Sequence, residues 1–412
     1  MKSCIFTPEI LLPAPGVDLT RWAAVACDQY TSEPEYWEAF EAFVGDKPSA
    51  LRCTFPEVWL GKGEEARIRA INAAIESYIA DGVFRRRRGM TLVERRVNGK
   101  RRIGVVLAVD LEAYSFRAED RALIRATEGT ILERIPPRVR IREHAKAEFP
   151  HIMLLADDRG NRIMGGLYRG RERLEKIYDF ELYGEGGHLT GWFIEDTEPV
   201  IRAFESLLAP EVLREKYGSE ERILFAVGDG NHSLATAKTC WEQVKAGLSE
   251  KEQETHPARF ALCEVVSIYD EGLVFEPIHR VVKGVDNEKF AAGLSCALFG
   301  EGSVEVLLAG GRKTLPAPSD TAACYRAVQD YIDGFLEAHG GEVDYIHGAG
   351  SLAKVAESCG GTGILMPALD KSDLFGYVAT RGALPRKTFS MGEANEKRFY
   401  LEGRLIRPDV SV

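Results

Sequence analysis

The chain has 412 residues, 45% hydrophobic and 28% charged, with a formal net charge of −10. That length and apolar content can bury a sizeable core over two or three domains. The acidic balance argues against a nucleic-acid or acidic-membrane partner, because phosphate surfaces demand clustered positive charge. Eight scattered cysteines without a C-x-x-C pair read as buried apolar residues of a reducing compartment, and no stretch of about 18 apolar residues occurs, so a cytoplasmic location is expected.

In chain order, residues 1–60 are broken up by Pro8, Pro13, Pro15, Pro34, Pro48 and Pro56. Trp22 to Ala26 reads as a buried strand ending at Asp28 and Tyr30, and Ser32-Glu33-Pro34 starts a helix with Pro and acids in its first turn. The spacing of Ile68, Ile71, Ile75, Tyr78 and Ile79 predicts a helix over 64–80. Phe84 to Asp110 reads as antiparallel strands whose basic run, Arg85 to Arg88 and then Arg95, Arg96, Lys100, Arg101 and Arg102, is expected to be a solvated face. Phe149 to Asp158 is a further strand, in which His151 is expected to be structural. The glycines and aromatics of 160–200 give no firm assignment for His188.

Two stretches carry chemistry. In the first, Arg125, Thr127, Glu128 and Thr130 crowd a cation, two hydroxyls and a carboxylate around Gly129, a set that suits a polyanionic ligand with Glu128 as base or metal contact and equally suits surface ion pairing. In the second, Ile223 to Val227 reads as a buried strand, Gly228-Asp229-Gly230 as a sharp turn, and Leu234, Ala237, Cys240, Trp241 and Val244 as one face of a helix. A helix start leaves N–H groups and partial positive charge exposed to a ligand, most often phosphate. Asp229 and His232 add a carboxylate for a metal or proton and an imidazole that titrates near neutrality. The same residues also fit a plain turn in which Asn231 or Ser233 caps the helix.

Beyond residue 260 two strands are predicted, the second containing Glu276-Pro277-Ile278-His279-Arg280, where Pro implies an edge or kink and turns His279 and Arg280 toward a ligand or toward structural hydrogen bonds. From residue 286 helices and strands alternate. Gly348-Ala349-Gly350-Ser351 joins a strand to a helix as a second, weaker phosphate-loop candidate, and Lys387 in Pro385-Arg386-Lys387-Thr388-Phe389 is a possible phosphate contact. The expected architecture is α+β, with mixed β-sheets and flanking helices over residues 1–285 and a smaller α/β subdomain over 286–412 whose tail returns toward the main domain.

Five ordered pieces of this chain resemble the DUF1015 family: Lys47-Pro48-Ser49-Ala50-Leu51 to Pro56-Glu57, Asp120-Arg121 to Thr127-Glu128-Gly129-Thr130, Asp229-Gly230-Asn231-His232, Glu276-Pro277-Ile278-His279-Arg280 and Pro385-Arg386-Lys387-Thr388-Phe389. The family's central motif reads D-G-H-H-R and is in turn similar to the phosphate-binding turn of ParB-like and sulfiredoxin-like proteins, some of which phosphorylate free serine. Asn231 stands where that motif has its first His and Ser233 where it has Arg, so either Arg125 or Arg280 replaces a lost phosphate clamp or the ligand differs. The resemblance implies a phosphate- or nucleotide-binding protein acting as a small-molecule kinase on a hydroxyl such as that of free serine. Glu128, Asp229 and His232 are then catalytic, and Gly230, Asn231, Ser233, Arg125, Thr127, Thr130, His279, Arg280 and Lys387 hold phosphate. ATP or ADP is the co-substrate and Mg²⁺ the metal, at Asp229. The alternative is a non-catalytic protein that binds a nucleotide or phosphometabolite.

Overall fold

The computed structural model describes residues 3–117, 119–129 and 135–408. Thr130, one of the expected phosphate contacts, and Arg134 lie outside them. The fold is α+β. Two compact units divide the chain: the larger runs to Leu273 and adds Val378–Gly382 and the tail from Glu393, and the smaller takes Val274–Tyr377 and Ala383–Gly392.

The larger unit is built on a mixed sheet. Its strands are β1 (Met90–Val97), β2 (Lys100–Asp110), β3 (Ile124–Ala126), β4 (Met153–Ala156), β5 (Glu175–Glu181), β6 (His188–Ile194), β7 (Phe225–Asp229) and β8 (Phe260–Ser267). They lie in the order β5-β6-β1-β2-β8-β4-β7-β3, continued by Tyr114–Ser115. β7 and β3 run parallel, as do β4 and β8, while β4 and β7 are antiparallel. The nearly unbroken apolar run of β2 follows from burial on both faces, since successive side chains point opposite ways. Val105, Leu107 and Val109 pack into one core with Leu154, Val227 and Trp241, whereas Val106 packs into another with Trp22, Trp37 and Leu262.

Against these faces lie α1 (Pro34–Val44), α2 (Glu64–Ala80) and α3 (Asn231–Lys245), the last with Leu234, Ala237 and Trp241 buried. Trp22 to Ala26 is not one strand. Asp18 caps a short helix, Leu19–Trp22, by accepting from Thr20 and Arg21, and only Ala24–Val25 is extended.

The basic run is not uniformly solvated either. Arg95 and Arg102 are buried and donate to backbone carbonyls of the tail, Arg95 to Asn395 (2.7 Å) and Arg102 to Glu396 (3.0 Å). Arg398 pairs with Glu264 and, at 2.8 Å, with Glu402, which also accepts from the Tyr178 hydroxyl (2.6 Å). The tail from Glu393 forms two short extended pieces. Phe399–Tyr400 pairs with Ala24–Val25 and Arg404–Leu405 with Ala147–Glu148, both off the main sheet.

The smaller unit carries β9 (Phe275–Lys283), β10 (Gly302–Leu308), β11 (Gly311–Ala317), β12 (Glu342–His347), β13 (Thr362–Leu365) and β14 (Phe389–Met391), paired antiparallel in the order β11-β10-β13-β9-β12, with β14 also on β9. Helices α4 (Thr321–His339) and α5 (Ala349–Cys359) accompany it. Pro277 sits where β9 leaves its main partners and meets Phe389 of β14, consistent with proline's missing donor.

Candidate phosphate site

Parallel pairing of β3 and β7 sets Ala126 opposite Val227. β7 runs two residues further, to Asp229, whereas β3 ends at Ala126 and Glu128 lies two residues past it, so the two carboxylates stand at and just beyond the carboxyl ends of neighbouring parallel strands, where open sheets bind their ligands. The buried Thr127 hydroxyl fixes the junction by donating to Val227 O at 2.7 Å. Gly230 turns the chain with φ +77, and a Cβ there would lie 3.0 Å from Ile152 Cα, so both the left-handed backbone and the close approach of β4's leading residue require glycine. Its N–H donates to Asp229 Oδ1 at 2.9 Å.

α3 follows at once with Gly230 in the capping position, and no side chain caps it. Neither Asn231 nor Ser233 serves as N-cap, because both already lie inside the first helical turn. Asn231 Oδ1 is buried without a hydrogen bond, the Ser233 hydroxyl lies 3.4 Å from His151 Nε2, and the His232 carbonyl accepts from Thr236 Oγ1 at 2.7 Å. An uncapped helix start keeps its N–H dipoles turned outward, the usual basis of an anion site.

Distant side chains gather here. Lys397, on the returning tail and largely buried, holds its ammonium 3.4 Å from Asp229 Oδ2. His151 is buried, with Nε2 3.7 Å from Asp28 Oδ2 and Nδ1 2.9 Å from the Tyr400 hydroxyl, which itself accepts from the Cys27 N–H at 3.0 Å. Burial disfavours a charged imidazole, yet the carboxylates of Asp28, Asp229 and Glu57 outweigh it and raise the His151 pKa. Burial likewise works against the Asp28 carboxylate, but His151, Gln29 and Lys397 hold its pKa well below the ordinary range. The imidazolium–carboxylate pair is thus the favoured form.

The other expected contacts have different surroundings. Arg125 is buried and spends its guanidinium on Glu221 (2.5 Å) and on the carbonyls of Ala122 (2.8 Å), Arg222 (3.0 Å) and Ala379 (3.2 Å). In the smaller unit Arg280 is fully buried over the Tyr325 ring and donates to Ile278 O, to Lys387 O (2.9 Å) and to Arg386 O (3.2 Å). Lys387 is exposed and takes a left-handed φ of 57, which turns its carbonyl to that guanidinium. His279 accepts the Met366 N–H at 3.1 Å through Nδ1, and burial with Arg280 and His347 nearby lowers its pKa. Thr127, Glu128 and Asp229 to Ser233 therefore belong to the larger unit, Thr127 bonded to β7, and His279, Arg280 and Lys387 belong to the smaller. His188 lies in the β5–β6 hairpin between Asp179 (2.5 Å) and Glu181 (2.7 Å).

A cavity of about 150 Å³ abuts the turn. Ser233 and Thr236 of α3, His151, Ile152 and Tyr400 form part of its wall, and Ile71 and Ile75 of α2 another part. Lys397 and Tyr400 were not singled out from the sequence, and nothing in their local pattern marks them. Asp229 and Lys397 are 168 positions apart (397 − 229), joined only by the path of the tail.

The chain is thus an α+β protein with a strand–glycine–helix turn at the end of one of two parallel strands. The chain matches the family model described as "Protein of unknown function (DUF1015)" over residues 11–331, and it belongs to that family. No curated protein matches it. Among solved structures it is similar to a conserved hypothetical protein from Pyrococcus furiosus, with 11% identity, a TM-score of 0.38, and 73% of this chain and 95% of that chain covered. It is also similar to a free serine kinase in complex with AMP (9% identity, TM-score 0.41, 73% and 92% covered) and to SbnI with a C-terminal truncation from Staphylococcus aureus (8%, 0.39, 72% and 85%).

Proposed function

We propose that the Asp229–Ser233 turn binds the phosphate of a nucleotide or phosphometabolite and that the protein is a small-molecule kinase acting on a hydroxyl. The observation that supports this most is the meeting of Asp229, the uncapped start of α3 and the Lys397 ammonium at the end of β7, beside a parallel strand that Glu128 follows by two residues. The helix start and Lys397 offset phosphate charge, Glu128 accepts the proton of the attacking hydroxyl, and the nucleoside diphosphate or monophosphate departs with the bonding electrons. In this reading His232, in the first turn of the same helix, offsets charge on the transferred phosphate.

Among the described residues no three His, Cys, Asp or Glu gather into a metal cage. Mg²⁺ commonly binds through one or two carboxylates together with substrate phosphates, and here Asp229 is the residue that would hold it, in competition with Lys397.

A non-catalytic role is favoured by a different observation. Asp229 is already neutralised by Lys397, and the guanidinia of Arg125 and Arg280 are committed to the chain's own acceptors rather than to a ligand. One experiment separates the two. Purified protein with Mg²⁺ and ATP or ADP is expected to phosphorylate at least one compound in a panel of amino acids and small alcohols. A nucleotide that raises the melting temperature without being consumed leaves the binding function alone. No melting shift and no turnover would end both.

A further inference from the structure

The charged groups that line the cavity beside α3 come in pairs. Arg138 meets Glu57, Arg142 meets Glu148, and His151 faces Asp28. Much of the remaining wall is apolar, including Phe55, Leu60, Ile71 and Phe149, and its uncharged polar groups include the hydroxyls of Ser233, Thr236 and Tyr400. A zwitterion such as free serine would shed hydration from both its charges on entering and find only charges already satisfied. That lost hydration disfavours the zwitterion.

A neutral molecule avoids that penalty and gains from apolar contact. A volume of about 150 Å³ equals that of an engineered apolar pocket that admits benzene, so a single ring with a small substituent fits. We propose that this cavity binds a neutral alcohol with an apolar, ring-sized body, its hydroxyl directed toward Ser233 and His151. Only the further step, in which that alcohol is the phosphoryl acceptor, rests on the kinase function above.

Calorimetry on the full chain with benzyl alcohol, cyclohexanol and free serine, each without nucleotide, tests the site. Saturable binding of the ring alcohols at least tenfold tighter than serine is expected, and Ala147→Phe, which fills the cavity, is expected to weaken them at least tenfold. Absent binding of the ring alcohols, serine bound as tightly, or ring alcohols bound equally by the variant overturns the proposal. Should Ala147→Phe not fold, Ala145→Leu, a smaller filling of the same wall, is expected to weaken benzyl alcohol binding as well, and binding unchanged in that variant overturns the proposal. Nucleotide binding measured on the same samples keeps the two ideas apart. A protein that binds ring alcohols but no nucleotide retains the cavity site and loses the phosphate turn, and one that binds nucleotide alone does the reverse.

Discussion

Two turns in this molecule share one local grammar and have different surroundings. β7 passes through Gly230 into α3, and β12 passes through Gly348 into α5. Both glycines have positive φ, +77 and +78, and neither helix has a side-chain cap. At Gly230 the strand is internal, a parallel neighbour ends beside it, Ile152 presses on the glycine, and a half-buried lysine and a buried histidine lie close by. At Gly348 the strand is an edge, residues 347–351 are exposed, and the nearest atom to an added Cβ is Ser351 Oγ at 4.0 Å. An uncapped helix start becomes a candidate site when other parts of the chain close over it.

The largest expected difference between the turns is chemical. Glu128→Gln and Asp229→Ala should each lower kcat by roughly 10²- to 10⁴-fold, the range for loss of a positioned proton acceptor or charge partner, with the far-ultraviolet circular dichroism unchanged. Ser351→Ala at the other turn should leave the rate alone. Wild-type rates in both carboxylate variants would put Glu128 and Asp229 outside the mechanism.

Next comes backbone fit. Gly230→Ala combines a disfavoured left-handed backbone with contact at 3.0 Å from Ile152 Cα, and should destabilise by roughly 2–4 kcal/mol. Gly348→Ala meets no close neighbour, but its φ 78 and ψ 134 cost an L residue about 1–3 kcal/mol through the backbone alone. Urea unfolding of Gly230→Ala measures this, and a loss of about 1 kcal/mol or less would mean that Ile152 yields and that the Gly230 turn is not tightly enclosed.

The fold was legible wherever a segment's own pattern decided its state. The helix over 64–80 appears as Glu64–Ala80, and the continuous apolar run of Ile103 to Val109 gave the inner strand because both its faces are buried. Legibility ended where partners distant in sequence decide. Arg95 looks like any arginine of a basic run, and only the tail's carbonyls bury it. At the site, Asp229, Gly230 and Glu128 could be read from turn chemistry and charge. Lys397 could not, because its meaning is its distance from Asp229. His151 follows a proline and reads as structural, and nothing near it in sequence announces Asp28, Ser233 or Tyr400.

The smallest effect concerns pH and follows from His151. Its folded pKa lies above the unfolded value near 6.5, so the stability it contributes is complete below that value and is lost as pH rises through the folded pKa. Asp28 is the mirror case. Its depressed carboxyl contributes fully above the unfolded value of about 3.9, and that contribution disappears as pH falls through the lower folded pKa. The pair therefore stabilises most between about pH 4 and 6.5, in the region of the Gly230 turn. Unfolding free energy measured from pH 5 to pH 9 should decline more in wild type than in His151→Gln, because the variant has no proton to release there. Parallel profiles would mean that His151 is neutral in the folded protein, in which case Asp28 and Asp229 do not charge it and the turn lacks the cation that the buried imidazole supplies.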